Sequence, residues 1–313
     1  MTKASVLIFG ASGQDGTYLA QLVNQLGHKL ISIDKPINFN QSPHQIEAEV
    51  SAILVDKMPT HIFNLAALAT GAGMFDDSYN MININGYAVA SLLEAIRKSK
   101  LDIRFCQAGS SEMFGLPNAS PQNELTPFNP RTPYGAAKLL AHNMVNIYRK
   151  HYGVFACSAI LFNHESPIRS NQFVTRKVTQ SAVKIKLGLQ EKLTIGALDI
   201  KRDWGYAPDY ANAMWLMLQQ QVADDFVIAT GETHSIRDLC RTAFEYLDMD
   251  YQDYIEVDLS FNQRAVEGLQ LVGDSSKARK ALNWSPSVSF KEMIHEMVNA
   301  DLNVLKTQET VQK

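Results

Sequence analysis

No stretch of this sequence approaches the roughly 20 apolar residues that a membrane-crossing helix needs. The early apolar run SVLIF breaks at Gly10, without the small-residue cleavage pattern of a secretory leader. Cysteine is scarce: three in 313 residues, Cys106, Cys157 and Cys240, far apart and in apolar or helical settings. They read as reduced core residues, not as disulfides or metal ligands, and no Cys/His spacing suggests zinc. A basic excess is missing as well; the formal net charge of −3 argues against a nucleic-acid binder. Internal repeats, low-complexity tracts and linkers are absent. What is left is a globular protein expected in the cytoplasm, with no membrane or nucleic-acid partner. It is long enough for one large domain or two.

What the chain does have is rhythm. Short apolar runs bounded by turn residues (SVLIFG, LISID, HIFNLAA, RFCQAGSS, FACSAILFN) read as buried strands. Helical spacing fills the gaps at GTYLAQLVNQLG, NINGYAVASLLEAIRKS and YGAAKLLAHNMVNIYRKHYG. Such alternation predicts an α/β fold: a Rossmann-like, doubly wound parallel sheet with helices on both faces. After about residue 164 the rhythm breaks into loops, helices and short strands, which predicts a smaller, mixed α/β C-terminal substrate domain. The expected division is therefore a first domain over 1–164 and a second over 165–313; the motifs that follow would make the first the dinucleotide-binding domain that carries the catalytic residues and the second mainly the substrate domain. Segments such as 201–230 should interleave with the first, because FVIATG reads as a strand returning to the main sheet.

GASGQDG places Gly10, Gly13 and Gly16 directly after an apolar strand and directly before a helix. Glycines there let the backbone approach a pyrophosphate, whose charge then faces the helix N-terminus. Asp34 ends the second strand, about 20 residues on, where an adenosine-ribose ligand is expected. Its carboxylate should bind a free 2′-hydroxyl and repel a 2′-phosphate, favouring NAD over NADP. Further on, Tyr134 and Lys138 stand one helical turn apart, with Ser110, Ser111 and Glu112 at the end of an earlier strand. A cation beside a phenol lowers a pKa of about 10, which would make Tyr134 a base. Taken alone, the same spacing also describes a packed tyrosine and a solvated lysine.

The three features together resemble the extended short-chain dehydrogenase/reductases, and within them the GDP-mannose 4,6-dehydratase family. QAGSSEMFG, TPFNPRTPYGAAK, ILFNHESP, FVTRK, RDWGYAPDY and QRAVEGLQLVGDSSKARKALNW carry the likeness, which spans most of the chain. The resemblance implies a nucleotide-sugar 4,6-dehydratase, a lyase acting on a GDP-linked sugar. Tyr134 would take the proton of the sugar 4-hydroxyl with Lys138 beside it, and Ser110 would hold that oxygen. Glu112 would remove the C5 proton once C4 is a ketone, and water would leave from C6. Ser111 stands where many dehydratases have an aspartate, so Glu112 would serve as base and acid. Ser12, Gln14, Asp15, Leu65, Ala66 and Ala67 join the implied cofactor site, alongside Tyr134 and Lys138. Ser111, Asn163, Lys177, Arg202, Arg264 and Glu267 form the implied substrate set, its guanidinium forks suited to a diphosphate. His164 is expected to orient the loop beside Asn163.

Departures from the family pattern matter as well. Asp34 and Lys35 replace an arginine pair that binds the NADP 2′-phosphate and helps join a tetramer, so a homodimer through a four-helix contact is expected. NADP stays open through the family likeness. Between Asn40 and His61 the chain lacks the family's extra strand and its adenine-recognising aspartate. LAALATGAGMFDD replaces a histidine-containing run over the pocket. The competing readings are a GDP-sugar epimerase or 4-ketoreductase and, outside catalysis, a dinucleotide-binding regulatory protein.

Overall fold

A computed structural model describes residues 3–32, 37–69, 75, 77–261 and 270–312. The strands run β1 (Ser5–Phe9), β2 (Lys29–Ile31), β3 (His61–Asn64), β4 (Arg104–Ala108), β5 (Phe155–Leu161) and β6 (Asn163–Glu165). There follow β7 (Leu193–Ile195), β8 (Lys201–Arg202), β9 (Trp204–Tyr206), β10 (Phe226–Ile228), β11 (His234–Ser235) and β12 (Ile255–Val257). Helices α1 (Gln14–Gln25), α2 (Pro43–Lys57), α3 (Ser78–Ile82), α4 (Ala88–Ser99) and α5 (Pro133–Tyr152) belong to the first half. The second half holds α6 (Val174–Lys186), α7 (Ala207–Met217), α8 (Ile236–Glu245), α9 (Ser276–Leu282) and α10 (Phe290–Gln312).

Among the described residues, six strands form one sheet in the order β10-β5-β4-β3-β1-β2, every pairing parallel. Apart from the edge strand β2, whose Lys29 is exposed, the strands are buried on both faces, so their side chains divide by the two-residue period of a strand. Val6 and Ile8 of β1 pack into one core layer with Leu19 and Val23 of α1 and Met214 of α7. Leu7 and Phe9 enter the opposite layer with Val50 of α2, Leu92 of α4 and Val145 of α5. From β1 the chain moves outward to β2, then crosses back to lay β3 on the other side. The crevice at this reversal, above the carboxyl ends of β1 and β3, is where open α/β sheets hold ligands.

The stretch without the family's extra strand forms α2. Ser42 caps it with a reciprocal Gln45 contact and Pro43 opens its first turn, a capping box that starts a helix. Ile46, Val50 and Leu54 turn inward at four-residue spacing, and Glu49 faces solvent. A second lobe packs Val178 of α6, Phe244 of α8 and Ile294 of α10 around Leu193 and Ile195. Among the described residues no helix is long and apolar enough to cross a membrane.

The edge strand β10 is tied down by charge. Asp225 accepts from Arg149 Nη1 and Nη2 at 2.8 and 2.7 Å, from Asn146 Nδ2 at 3.1 Å and from the Ser158 amide at 2.7 Å. Burial alone would raise its pKa, but Arg149 outweighs burial and holds the carboxyl below its usual range. Asp225→Ala leaves a buried guanidinium unpaired and should cost about 3–5 kcal/mol in urea unfolding. The loss should shrink as acid protonates wild-type Asp225, because a depressed carboxyl contributes its stability only above its folded pKa.

Candidate active site

The glycine loop is shaped by what a side chain would strike. Gly10 has φ +83°, and a Cβ there would stand 2.7 Å from the Ala66 nitrogen. The loop after β1 therefore lies directly on the loop after β3. A Cβ at Gly16 would come 2.3 Å from the Gly10 carbonyl oxygen, so the first turn of α1 presses onto the loop. Gly13 is the N-cap of α1 and supplies no side-chain cap to the helix N–H groups. Backbone N–H groups free of a side-chain cap, at the sheet's switch point, suit an anionic diphosphate. The cradle that a Cβ would fill thus fits a dinucleotide.

The neighbouring residues expected at the cofactor differ in how they are used. Ser12 is exposed on the loop. Gln14 and Asp15 spend their side chains on the protein: Gln14 Nε2 donates to the His164 carbonyl at 3.0 Å, and Asp15 Oδ1 lies 2.9 Å from His164 Nε2. Leu65, Ala66 and Ala67 are half-buried in the loop after β3. The next residue, Leu68, is gripped twice by Asn85, whose Oδ1 accepts from its amide and whose Nδ2 donates to its carbonyl, both at 3.0 Å. Asn85 sits in a π-helical turn, Asn83–Tyr87, a distortion that often marks a functional site. Asp34 lies outside the described residues.

Tyr134 and Lys138 open α5, where Thr132 caps the helix by accepting from the Gly135 amide at 2.9 Å. The reason for glycine at 135 is steric. A Cβ there would stand 2.4 Å from the Glu112 carbonyl oxygen, so the tyrosine helix rests on the Ser110–Ser111–Glu112 turn. Ser110 Oγ accepts from the Glu112 amide at 3.2 Å, and Ser111 is buried in the same turn. Lys138 Nζ donates to the Ala108 carbonyl at 2.9 Å and lies 5.7 Å from the centre of the Tyr134 ring.

The electrostatics reverse the simplest expectation from the tyrosine–lysine spacing. Burial pushes the Tyr134 phenol up to about 12, against a smaller downward pull from its Ser110 hydrogen bond. Burial likewise brings the Lys138 amine down to about 8, with Asp15 pulling upward. Desolvation disfavours both charged forms and outweighs the proximity of the two groups.

The residues expected to meet the substrate scatter more widely. Asn163 lies half-buried on β6, which pairs with β9 at Trp204. Lys177 on α6 donates to the Thr194 carbonyl at 2.9 Å, and Arg202 on β8 donates to the Lys201 carbonyl at 2.7 Å. Arg264 and Glu267 lie outside the described residues. Two further residues had no role assigned from sequence. Arg169 pairs with buried Glu165 at 3.1 Å and stacks 3.4 Å over the Phe173 ring; its charge reaches Tyr134, Asp15 and His164. Asp203 accepts from the amides of Thr230, Gly231 and Gly273, binding three separate segments together. Asp203 had one signal, its place in RDWGYAPDY; Arg169, two residues past ILFNHESP, had none.

Comparison with known proteins gives a consistent picture. A family model described as GDP-mannose 4,6 dehydratase matches residues 7–297. The chain is 40% identical over 333 residues to GDP-mannose 4,6 dehydratase 2 of Arabidopsis thaliana, covering 97% of this chain and 88% of that protein. Against GDP-mannose 4,6-dehydratase of Sinorhizobium fredii (strain HH103) it is 39% identical, with 98% and 99% covered. Among solved structures, RMD from Pseudomonas aeruginosa complexed with NADPH has a TM-score of 0.86 at 21% identity, over 96% of this chain and 100% of that one. The dTDP-glucose 4,6-dehydratase of Bacillus anthracis str. Ames, in complex with NAD, has a TM-score of 0.80 at 19% identity, over 98% of each. At such identities the solved structures speak for the fold alone.

A folded chain that holds Lys138 at about 8 instead of 10.5 binds fewer protons there than the unfolded chain over that interval. Stability from this site therefore rises with pH. Wild type should gain on Lys138→Met by roughly 3 kcal/mol in urea unfolding as pH climbs through the interval. A difference independent of pH would contradict a desolvated amine.

Proposed function

The chain belongs to the GDP-mannose 4,6-dehydratase family, and from that premise we propose how its residues divide the reaction. It is a nucleotide-sugar 4,6-dehydratase, a hydro-lyase that converts GDP-mannose or a close GDP-sugar to the 4-keto-6-deoxy sugar. Gly10, Gly13 and Gly16 would hold a nicotinamide dinucleotide, which, when bound, would supply the acceptor and donor of the hydride and, while oxidised, a positive charge favouring the Tyr134 phenolate. Tyr134 takes the proton of the 4-hydroxyl, and Ser110 donates to that oxygen. The 4-ketone acidifies C5, whose proton goes to Glu112. Glu112 passes a proton to the departing C6 hydroxide, which leaves as water. A proton equivalent to the one taken up by Tyr134 returns to C5, so the sum loses water alone.

One observation carries this assignment: the absent side chain at Gly135 seats the tyrosine helix on the glutamate turn. A simple 4-epimerase or a 4-ketoreductase needs no base at C5, the role we give Glu112. NAD is the cofactor we favour, on the charge of Asp34. Asn163, Lys177, Arg202, Arg264 and Glu267 are our candidates for the sugar and nucleotide, and the second lobe their carrier. Three buried, unpaired thiols fit a reducing compartment, the cytoplasm. Tyr87, Ile147 and Tyr152, exposed on and just before α4 and α5, support a homodimer through those helices.

Glu112→Gln keeps the shape and loses the base. Its turnover of GDP-mannose should fall by about a hundredfold or more, with thermal unfolding unchanged. Turnover at the wild-type rate would remove Glu112 from the reaction.

A further inference from the structure

We propose that Asp15 and His164 form a latch that ties the dinucleotide loop to the β6 strand and keeps the cofactor on the protein from one turnover to the next. The proposal rests on the reading that the glycine loop holds a nicotinamide dinucleotide. Asp15 lies in the first turn of α1, where an anionic ligand would meet its charge. Its carboxylate is committed to the imidazole of His164 instead, at 2.9 Å. The ring is fixed on its other sides. Nδ1 is 2.7 Å from the Phe162 carbonyl oxygen, and the face stacks on Tyr210 with centroids 4.6 Å apart.

Those two partners decide the ring's charge. A carbonyl and a carboxylate both accept, so both ring nitrogens must carry protons for both contacts to be hydrogen bonds. The pair is then imidazolium and carboxylate. A second link runs beside it: Gln14 Nε2 donates to the His164 carbonyl at 3.0 Å, and Ser166 Oγ donates to Gln14 Oε1 at 2.7 Å. Two successive residues of α1 are thus fastened to a segment about 150 residues away. The loop cannot lift from β6 without breaking these contacts. A reaction that returns its hydride has no need to exchange the cofactor.

The groups facing His164 are Asp15 and Gln14 from α1, Arg169 from beyond β6, Tyr210 from α7 and the Phe162 carbonyl. Burial would strip the ring of its proton and Arg169 pushes the same way. Asp15 outweighs both, so the ring titrates above the ordinary histidine range. The charged latch therefore persists to higher pH than a free imidazole would allow, and is lost as pH rises through that raised value.

The test loads the full chain with reduced nicotinamide dinucleotide and follows its fluorescence after dilution into excess oxidised dinucleotide, from pH 6 to 9. Wild type should release slowly at neutral pH and faster as pH rises. Asp15→Asn and His164→Gln should each release faster by about tenfold or more at neutral pH, the size of a charge-assisted hydrogen bond. Their rates should be flat with pH, and the double variant should be no worse than either single one. Gln14→Ala leaves the ion pair intact; its release should be faster but still pH-dependent, and it stands in if the other variants fail to fold. Wild-type release rates in folded variants, or a flat wild-type profile, would overturn the latch alone. Failure of the wild type to hold any dinucleotide would overturn the cofactor reading together with it.

Discussion

Everything at the candidate site hangs on how closely one helix can approach one turn. With no side chain at 135, α5 comes down on the Glu112 carbonyl, 2.4 Å from where a Cβ would be. That approach brings a phenol, an amine, a hydroxyl and a carboxylate from two parts of the chain to the same end of the sheet. The sheet supplies the other half of the constraint. Because β2 and β3 lie on opposite sides of β1, the chain parts there, and the glycine loop occupies the gap.

Such an arrangement is costly to the fold. Tyr134 and Lys138 are both buried, and both are driven toward their neutral forms. A site of this kind gains its proton-transfer chemistry at the expense of stability. The offset comes from elsewhere: a sheet buried on both faces, the Arg149–Asp225 tie at its edge, and the four-bond anchorage of Asp203. The charged cluster of Asp15, His164, Arg169 and Glu165 ties α1 to the segment that follows β5.

Features written in local pattern were legible in the sequence. Strand and helix alternation announced the sheet, and the glycine loop is bounded by its own strand and helix. Tyr134 and Lys138 are one turn apart wherever that helix lies. Features set by distant contacts were not legible. The phenol was expected to drop because Lys138 is near in sequence; burial, which only the packed structure reveals, raises it. Asn85 grips Leu68 from a π-helical turn that no periodicity marks. The α2 segment went unread as a helix although Ser42, Pro43 and Gln45 spell out its start. Asp34, Arg264 and Glu267 lie outside the described residues, so the cofactor and nucleotide readings at those positions rest on residue type.

The central claim is that this site oxidises C4, exchanges the proton at C5 and returns hydride to C6 within a single bound sugar. Incubating the purified protein with GDP-mannose in deuterated water, with and without added NAD or NADP, and recording proton NMR tests it most directly. The account predicts a new C6 methyl signal, deuterium at C5 and no net consumption of cofactor. A methyl product with protium retained at C5, or net consumption of cofactor, would contradict it.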